Sequence, residues 1–293
     1  MNVPDLQELL QATATGLLVG GLFSLTALGL SLVLGVMRLV NLVHGELVII
    51  GSYLSYVLLA RFGLDPLMAL PLVAVLAGGL AYPIQRVLLQ PLARRGEETA
   101  MLTSFALSVI VQNLLILWLT GDTRSVDRSY TRATLDLGPV TVPAIYLIAF
   151  AIAVAVSAAA HLLVTRTAFG RRLRAGSEDA EAAAVVGVHV PRLHARTYAL
   201  AGAIAGLSGA LAGMAFAFTP TSGGEYLLTG FAVVVLGGLG SVVGTAVGGL
   251  VLGIAEACGA LLFGDGYRLL VGLTVFLVFL AIRPRGLCGR AVA

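Results

Sequence analysis

The stretch TATGLLVGGLFSLTALGLSLVLGV, residues 13–36, contains no charged side chain. A helix needs about 20 mainly apolar residues to cross the hydrocarbon core of a bilayer, so this stretch is long enough to form a membrane span. The residues before it lack a basic region and include Asp5 and Glu8. Because secretory signal peptides begin with a basic region, we interpret residues 13–36 as a permanent span.

Apolar runs of similar length recur along the chain, at residues 40–60, 66–88, 100–119, 143–164, 197–217 and 267–283. A further run, 227–263, is too long for one span and is interrupted by LGGLGSVVGTAVGG, so it predicts two short or broken helices. Charged residues make up only 11% of the 293 residues, against about 25% in average soluble domains. The sequence therefore predicts an all-α fold, a polytopic transmembrane helical bundle of about 8–10 spans that forms one domain over residues 1–293.

The arginines predict how these spans are oriented, because cytoplasmic loops of membrane proteins carry an excess of basic residues. With the N-terminus outside and nine passes, Arg61, Arg124, Arg128 and Arg132 lie outside and Arg268 lies at the outer edge of the last span. The other 13 arginines are then cytoplasmic: Arg38, Arg86, Arg94, Arg95, Arg166, Arg171, Arg172, Arg174, Arg192, Arg196, Arg283, Arg285 and Arg290. This asymmetry predicts a cytoplasmic C-terminus.

The densest group of charges lies in a predicted cytoplasmic loop at about residues 165–196. Within the sequence GSEDAEAAAVVG, Ser177 is the predicted N-cap of a short helix over Glu178 to Val186. Glu178 and Asp179 then lie in the first turn, where the helix dipole favours acidic side chains. Gly187 is the predicted C-cap.

One face of this short helix is predicted to carry only small residues at i, i+3, i+4, i+7 spacing: Ala180, Ala183, Ala184 and Gly187. A smooth helix of this kind at the membrane surface can enter a groove in another protein. The alternative is a solvated loop whose arginines only fix the topology, but that function does not require a capped, alanine-rich helix.

Two ionisable side chains enter a predicted span close together in the sequence NLVHGELVIIGSY, residues 41–53. His44 and Glu46 flank Gly45, and an unpaired charge in hydrocarbon costs at least about 2.5–3.5 kcal/mol. Two interpretations stay open for these residues and for Asn41: they line the substrate pathway or its gate, or they form a polar network that closes a helix break. We interpret TPTSGGEY, residues 219–226, as a polar external loop in which ordinary turn chemistry is favoured over a substrate contact.

Glycines recur at helical spacing and predict close contacts between helices, because small residues allow helix backbones to approach each other in lipid. Either a tight static packing or a bundle that slides or rocks is compatible with this spacing, and static packing is favoured. The predicted packing glycines are Gly202, Gly206, Gly209, Gly213, Gly237, Gly238, Gly240, Gly244 and Gly248.

Several chemical functions are disfavoured by what the sequence lacks. A P-loop requires a lysine, and the chain contains none, so it cannot bind ATP through such a motif. GLSG, residues 206–209, resembles the nucleophile signature of rhomboid intramembrane proteases, but no histidine follows His194 to act as its base. No metal site and no nucleic-acid surface are predicted, because the histidines are scattered and no basic face with interleaved aromatic residues occurs.

Three motifs resemble a known family. FGRRLRAGSEDAEAAAVVGV (169–188) followed by YALAGAIAGLSGALAG (198–213) is similar to the coupling-loop region of bacterial ABC-importer permeases. NLVHGELVIIGSY and VVVLGGLGSVVGTAVGGLVLG (233–253) resemble segments of the shorter branched-chain amino-acid permease. One departure from that pattern is Arg38, which precedes the first motif.

The resemblance implies a multi-pass permease subunit of a bacterial inner membrane. It implies three kinds of protein partner besides the lipid bilayer: a second homologous permease, two cytoplasmic ATP-binding subunits, and an external or periplasmic substrate-binding protein. No cofactor is expected in this chain, because the partner subunits bind ATP. The residues that the resemblance assigns to coupling are Arg171, Arg172, Arg174, Ser177, Glu178, Asp179, Glu181, Ala183, Ala184 and Gly187.

The predicted function is therefore ATP-driven import of branched-chain or other hydrophobic amino acids by alternating access, without covalent chemistry in this chain. The alternative is a secondary transporter or channel for a small polar solute, such as urea or an amide, that acts without ATPase subunits. An intramembrane hydrolase is a distant third.

Overall fold

The computed structural model describes residues 5–37, 40–93, 95–136, 138, 140–283 and 286–288, most of them in helices. Among these residues, eight helical segments are long and apolar enough to cross a membrane, which confirms the predicted polytopic bundle. The helices are α1 (Leu6–Met37), α2 (His44–Phe62), α3 (Pro66–Pro83), α4 (Gln90–Ala93), α5 (Glu97–Leu119), α6 (Ala144–Arg166), α7 (Ala168–Glu178), α8 (Ala180–Val185), α9 (Val190–Ala215), α10 (Gly223–Gly237), α11 (Val242–Phe263) and α12 (Arg268–Ile282).

Local sequence signals explain where several helices begin and end. The Asp65 side chain caps α3 by accepting a hydrogen bond from the Leu67 N–H at 3.0 Å, and Pro66 occupies the first helical position. Ser241 caps α11 in the same way through the Gly244 N–H. Gly63 ends α2 in a left-handed conformation, φ +64°, that a glycine adopts without strain. A π-helix over Ile84–Leu89 continues α3 into α4.

The first helix lies at the centre of the bundle. It packs against α6, α9, α10 and α11. In the most apolar 18-residue stretch of α1, 83% of the residues are buried, whereas the value is 6% for residues 265–282, which include α12. The second central helix, α9, packs between α2 and α3. These two helices therefore form the core around which the more exposed α5, α6 and α12 are arranged.

The two ends of the bundle differ in structure. At the end that we call the loop end, Leu173 of α7 forms a buried cluster with Val36 of α1 and Leu193 of α9. At the opposite end, which we call the hairpin end, strands β1 (Thr134–Asp136) and β2 (Thr141–Pro143) pair in antiparallel fashion. The first helix reaches this hairpin through Gln11, whose amide exchanges two hydrogen bonds with the Thr141 backbone. This short hairpin is an addition to the predicted all-α fold.

The arginines that the structure describes divide between the two ends as the sequence predicted. Arg38, Arg94, Arg285 and Arg290 lie outside the described residues. At or near the loop end lie Arg86, Arg95, Arg166, Arg171, Arg172, Arg174, Arg192, Arg196 and Arg283, and at the hairpin end lie Arg61, Arg124, Arg128, Arg132 and Arg268.

The predicted break in the run 227–263 is confirmed, with two differences. The chain leaves the helical conformation at residues 238–241, but the second helix, α11, is a full-length span of 22 residues rather than a short one. The first, α10, has 15 residues and begins at Gly223, inside the stretch predicted as an external loop. Only residues 216–222 connect α9 to α10, because Gly223 and Gly224 already belong to the helix.

The packing glycines lie at close helix contacts. Gly202 and Gly206 of α9 face the alanine methyl groups of α3, whereas Gly209 and Gly213 face α2. Gly237 of α10 contacts the backbone of α11, which presents Gly244 and Gly248 to α10.

Two of the predicted packing glycines lie outside the helices. Gly238 is the C-cap of α10, with φ +101°. Gly240 precedes α11 rather than belonging to it, with φ +75°, and lies against Gly35 of α1. The prediction that Gly240 lines the same span as Gly244 and Gly248 is therefore wrong, because Ser241 caps α11 after it.

Candidate functional site

The second helix begins deep inside the bundle. His44, its first residue, is fully buried, and its Nε2 lies 2.9 Å from the Thr26 carbonyl oxygen of α1. Thr26 lies about 16 Å along α1 from Met37, at 1.5 Å per residue. The start of α2 is thus near the middle of a hydrocarbon core that is about 30 Å thick.

Hydrogen bonds hold the chain where it enters α2. The Asn41 side-chain amide donates to the Tyr198 hydroxyl of α9 at 2.9 Å, and its oxygen accepts from the Val43 N–H at 3.2 Å. The Leu42 N–H donates to the Ser104 hydroxyl of α5. Asn41 and His44 therefore each bond to a neighbouring helix where α2 begins, and both interpretations of these residues stay open.

Glu46 has a different environment. Its side chain is only 5% exposed, and its Oε1 accepts a hydrogen bond from the Ser108 hydroxyl of α5 at 3.1 Å. Its Oε2 has no hydrogen-bond partner among the described residues. The carboxylate lies against the Cα of Gly223, the first residue of α10, while Gly45 lies against the Gly223 carbonyl. A buried carboxylate oxygen without a partner is costly, so packing alone does not explain this position.

The structure brings the four residues predicted for the substrate pathway into one region and adds residues that the sequence analysis missed. Their role in transport stays a prediction. The missed residues are Ser104, Ser108, Tyr198 and Gly223, each of which belongs to another helix. The Gly-Gly pair in TPTSGGEY was the one local signal for Gly223, since adjacent glycines permit a close approach of another backbone.

The charged loop contains two helices where one was predicted. Ser177 and Glu178 end α7, and the Ser177 hydroxyl donates to the Arg174 carbonyl. Asp179 is the N-cap of α8, because its Oδ1 accepts hydrogen bonds from the N–H groups of Glu181 and Ala182 at 2.9 and 3.0 Å. The prediction of Ser177 as the N-cap is therefore wrong: an earlier helix includes it. The predicted C-cap, Gly187, lies one residue beyond the observed one: Val186 is the C-cap of α8, and Gly187 follows it with φ +87°.

Replacing Asp179 by alanine is expected to loosen α8 selectively. Loss of an N-cap costs about 1 kcal/mol, so amide exchange in residues 181–185 should become roughly fivefold faster. Hydrogen–deuterium exchange of the protein in nanodiscs measures this change. Ser177→Ala is the matched control and should leave the exchange of these residues unchanged. Equal acceleration by both variants would contradict the assignment of Asp179 as the cap.

The outward surface of this loop is apolar at its tip. Val185 and Val186 are 87% and 77% exposed, whereas Ala183 is 3% exposed and packs inward. The remaining predicted small-residue positions, Ala180, Ala184 and Gly187, are exposed as well. They line an open groove of about 950 Å³ that also contacts Gln85 and Gln90.

The charged residues of the loop surround this tip. Arg171, Arg172, Glu178, Asp179 and Glu181 are at least partly exposed, whereas Arg174 donates a hydrogen bond from Nη1 to the Val164 carbonyl of α6. Arg174 thus joins α7 to the end of α6, while the other charges remain available to solvent or to another protein.

Several known proteins are similar to this chain over nearly its whole length, and their descriptions agree. The high-affinity branched-chain amino acid transport system permease protein BraD of Pseudomonas aeruginosa is 30% identical over 98% of each chain. LivH of Escherichia coli K12, a permease protein of the same description, is 28% identical over 96% of each chain. The probable branched-chain amino acid transport permease protein LivH of Methanocaldococcus jannaschii is 28% identical over 93% of this chain and 90% of its own.

No solved structure matches the chain. The family model described as "Branched-chain amino acid transport system / permease component" matches residues 12–280, which include both the buried start of α2 and the α7–α8 loop. The chain therefore belongs to the permease-component family of branched-chain amino acid transport systems.

Proposed function

We propose that this protein is the membrane-spanning permease subunit of a bacterial inner-membrane ABC importer for branched-chain or other hydrophobic amino acids. Family membership and the named functions of the relatives support this substrate class. Import proceeds by alternating access, in which ATP hydrolysis by other subunits drives the bundle between outward-open and inward-open states. This chain performs no covalent chemistry.

The observation that carries the proposal is the exposed apolar tip of the α7–α8 loop at the arginine-rich end. Val185 and Val186 project from a capped helix into solvent, and exposed apolar side chains of this kind favour a protein partner. We assign the loop end to the cytoplasm on the excess of arginine there. Two ATP-binding subunits then dock at the loop end, an external substrate-binding protein docks at the hairpin end, and a second permease completes the core.

Reconstitution tests this function directly. The chain is purified together with candidate ATPase, permease and binding-protein subunits from the same organism and placed in proteoliposomes. We expect accumulation of labelled leucine that requires both ATP on the loop side and binding protein on the hairpin side. Uptake of leucine, urea or an amide by the chain alone, driven by an ion gradient, would instead establish the secondary-transporter alternative.

A further inference from the structure

The starts of α2 and α10 oppose each other within the bundle. The two helices pack together, and their first turns meet where Gly45 lies against the Gly223 carbonyl. Among the described residues, neither helix has a side-chain cap hydrogen bond at its N-terminus. Each helix start carries unpaired backbone N–H groups and a positive partial charge, so two such ends create an electropositive region.

This region lies inside the membrane-spanning part of the bundle, about 16–22 Å from the loop end. The 15-residue helix α10 runs from Gly223 to the loop end, a distance of about 22 Å. The start of α2 is also inside the bundle, because His44 bonds to Thr26, which lies about 16 Å from the loop end of α1. Helix starts that meet near the midplane provide anion-binding groups where the surrounding lipid provides none.

Two carboxylates accompany the helix starts. Glu46 is buried and holds one oxygen, Oε2, without a hydrogen-bond partner among the described residues. Glu225, in the first turn of α10, is exposed together with Gly224. An exposed charge at this depth cannot face hydrocarbon without a large cost, so this side of α10 faces water or another protein. A polar ligand of the junction would therefore approach from the side of α10 that carries Glu225.

We propose that the junction of α2 and α10 binds the zwitterionic head group of the transported α-amino acid, a proposal that rests on the proposed import function. The Glu46 carboxylate accepts hydrogen bonds from the substrate ammonium at Oε2, the oxygen that lacks a partner among the described residues. The backbone N–H groups at the starts of α2 and α10 donate to the substrate carboxylate. The head-group ammonium thus faces the buried Glu46 carboxylate and its carboxylate faces two positive helix ends, while Glu225 lies on the exposed side of α10.

This arrangement explains how an apolar bundle distinguishes amino acids from neutral solutes. Urea and simple amides carry neither charge, so they would leave the buried Glu46 carboxylate uncompensated. A site that leaves a buried polar group unpaired rejects the wrong ligand by several orders of magnitude. The permease would thereby select for the amino-acid head group, in addition to any selection of the substrate side chain at another site of the importer.

Substitution of Glu46 tests the assignment in the reconstituted importer. Glu46→Gln should lower leucine uptake at least tenfold while ATPase stimulation by the loaded binding protein stays within twofold of wild type, because both docking ends are unchanged. Thr103→Ala is the matched control: Thr103 lies on the same helix as Ser108, but its hydroxyl donates to the Thr99 carbonyl within that helix, so this variant should retain most of the uptake. Equal uptake by Glu46→Gln and wild type would overturn the proposal. Failure of the wild type to import any amino acid would instead reject the proposed function.

A chemical measurement on the wild-type complex does not depend on how the variants fold. Dicyclohexylcarbodiimide modifies buried carboxyl groups, and mass spectrometry quantifies its addition to Glu46. We expect leucine to protect Glu46 more than fivefold, whereas 4-methylpentanoate, which is leucine without its amino group, should not protect. Equal protection by both compounds, or by neither, would overturn the assignment of Glu46 to the ammonium group.

Discussion

Replacing Gly209 by valine is expected to prevent stable assembly of the bundle. A Cβ at this position would overlap the Val48 carbonyl of α2, and it would also approach the Ser52 amide. Both obstacles are backbone atoms inside a helix, so no side-chain rotation relieves the overlap. Overpacking of a core costs about 1–3 kcal/mol when side chains give way, and more is expected here because two helices must separate.

Separation of these helices would also break a hydrogen bond. The Ser52 hydroxyl donates to the Gly209 carbonyl at 2.7 Å, and this bond joins α2 to α9 at the same contact. We therefore expect little monodisperse protein after extraction and, since a loss of 1 kcal/mol lowers the Tm of a large domain by about 2–4 °C, an apparent Tm roughly 10 °C below wild type. Size-exclusion chromatography of heated samples measures both quantities.

Gly79→Val provides the matched control. Gly79 also lies within a helix, in α3, but it is exposed, and no described atom outside its own helix would lie within 4 Å of an added Cβ. This variant should be extracted at near wild-type yield and Tm. If both variants behaved alike, the stability of the bundle would not depend on the close approach of α2 and α9.

Replacing Val185 and Val186 together by aspartate is expected to abolish stimulation of the partner ATPases. Burial of one valine side chain contributes about 1.5–3 kcal/mol, and each 1.4 kcal/mol corresponds to about a tenfold change in affinity. Loss of both contacts, with two charges placed in the interface, should weaken docking by more than a hundredfold. Co-purification of the ATPase subunits and substrate-stimulated hydrolysis measure the two consequences.

The variant Val185→Thr/Val186→Thr separates shape from polarity. Threonine has nearly the shape of valine and carries no charge, so partial docking and hydrolysis should remain. Both residues are exposed, so neither substitution disturbs the core of the permease. Unchanged ATPase stimulation in the aspartate variant would show that the tip of α8 is not a docking surface.

Periodicity and charge predicted the spans well because the bilayer imposes a strong requirement on each helix. Any run of about 20 apolar residues satisfies that requirement without help from a partner. The break after α10 was also predictable, since Gly238 and Gly240 permit backbone conformations that other residues rarely adopt. The ends of α1 were less accurate, because its first residues extend beyond the apolar run.

The loop and the buried junction required the structure. Ser177 and Asp179 are both good N-caps by residue type, and the choice between them depends on how far α7 continues. Glu46 and Gly223 are far apart in sequence, so no local pattern indicates that they touch. Helix propensity and capping preferences depend on residues that are close together in sequence, whereas the contact between Glu46 and Gly223 depends on how separate helices pack.

The central position of α1 has a consequence for the order of synthesis. This helix is synthesised well before α11, and its Ser31 hydroxyl accepts a hydrogen bond from Thr245, which is 214 residues later in the chain. At a synthesis rate of about 5–20 residues per second, the ribosome needs roughly 10–40 s to add the residues between Ser31 and Thr245. In the structure, the hydroxyls of Ser24 and Thr26 donate to carbonyls one turn earlier in α1, at 2.8 and 3.0 Å, and these bonds need no other helix. These two hydroxyls can therefore be hydrogen-bonded within α1 while the helix is surrounded by lipid. In the folded bundle the Ser24 hydroxyl also contacts the Ala246 carbonyl and the Thr26 hydroxyl also contacts Ser208, so neither has to be exposed to lipid without a hydrogen bond before α9 and α11 pack.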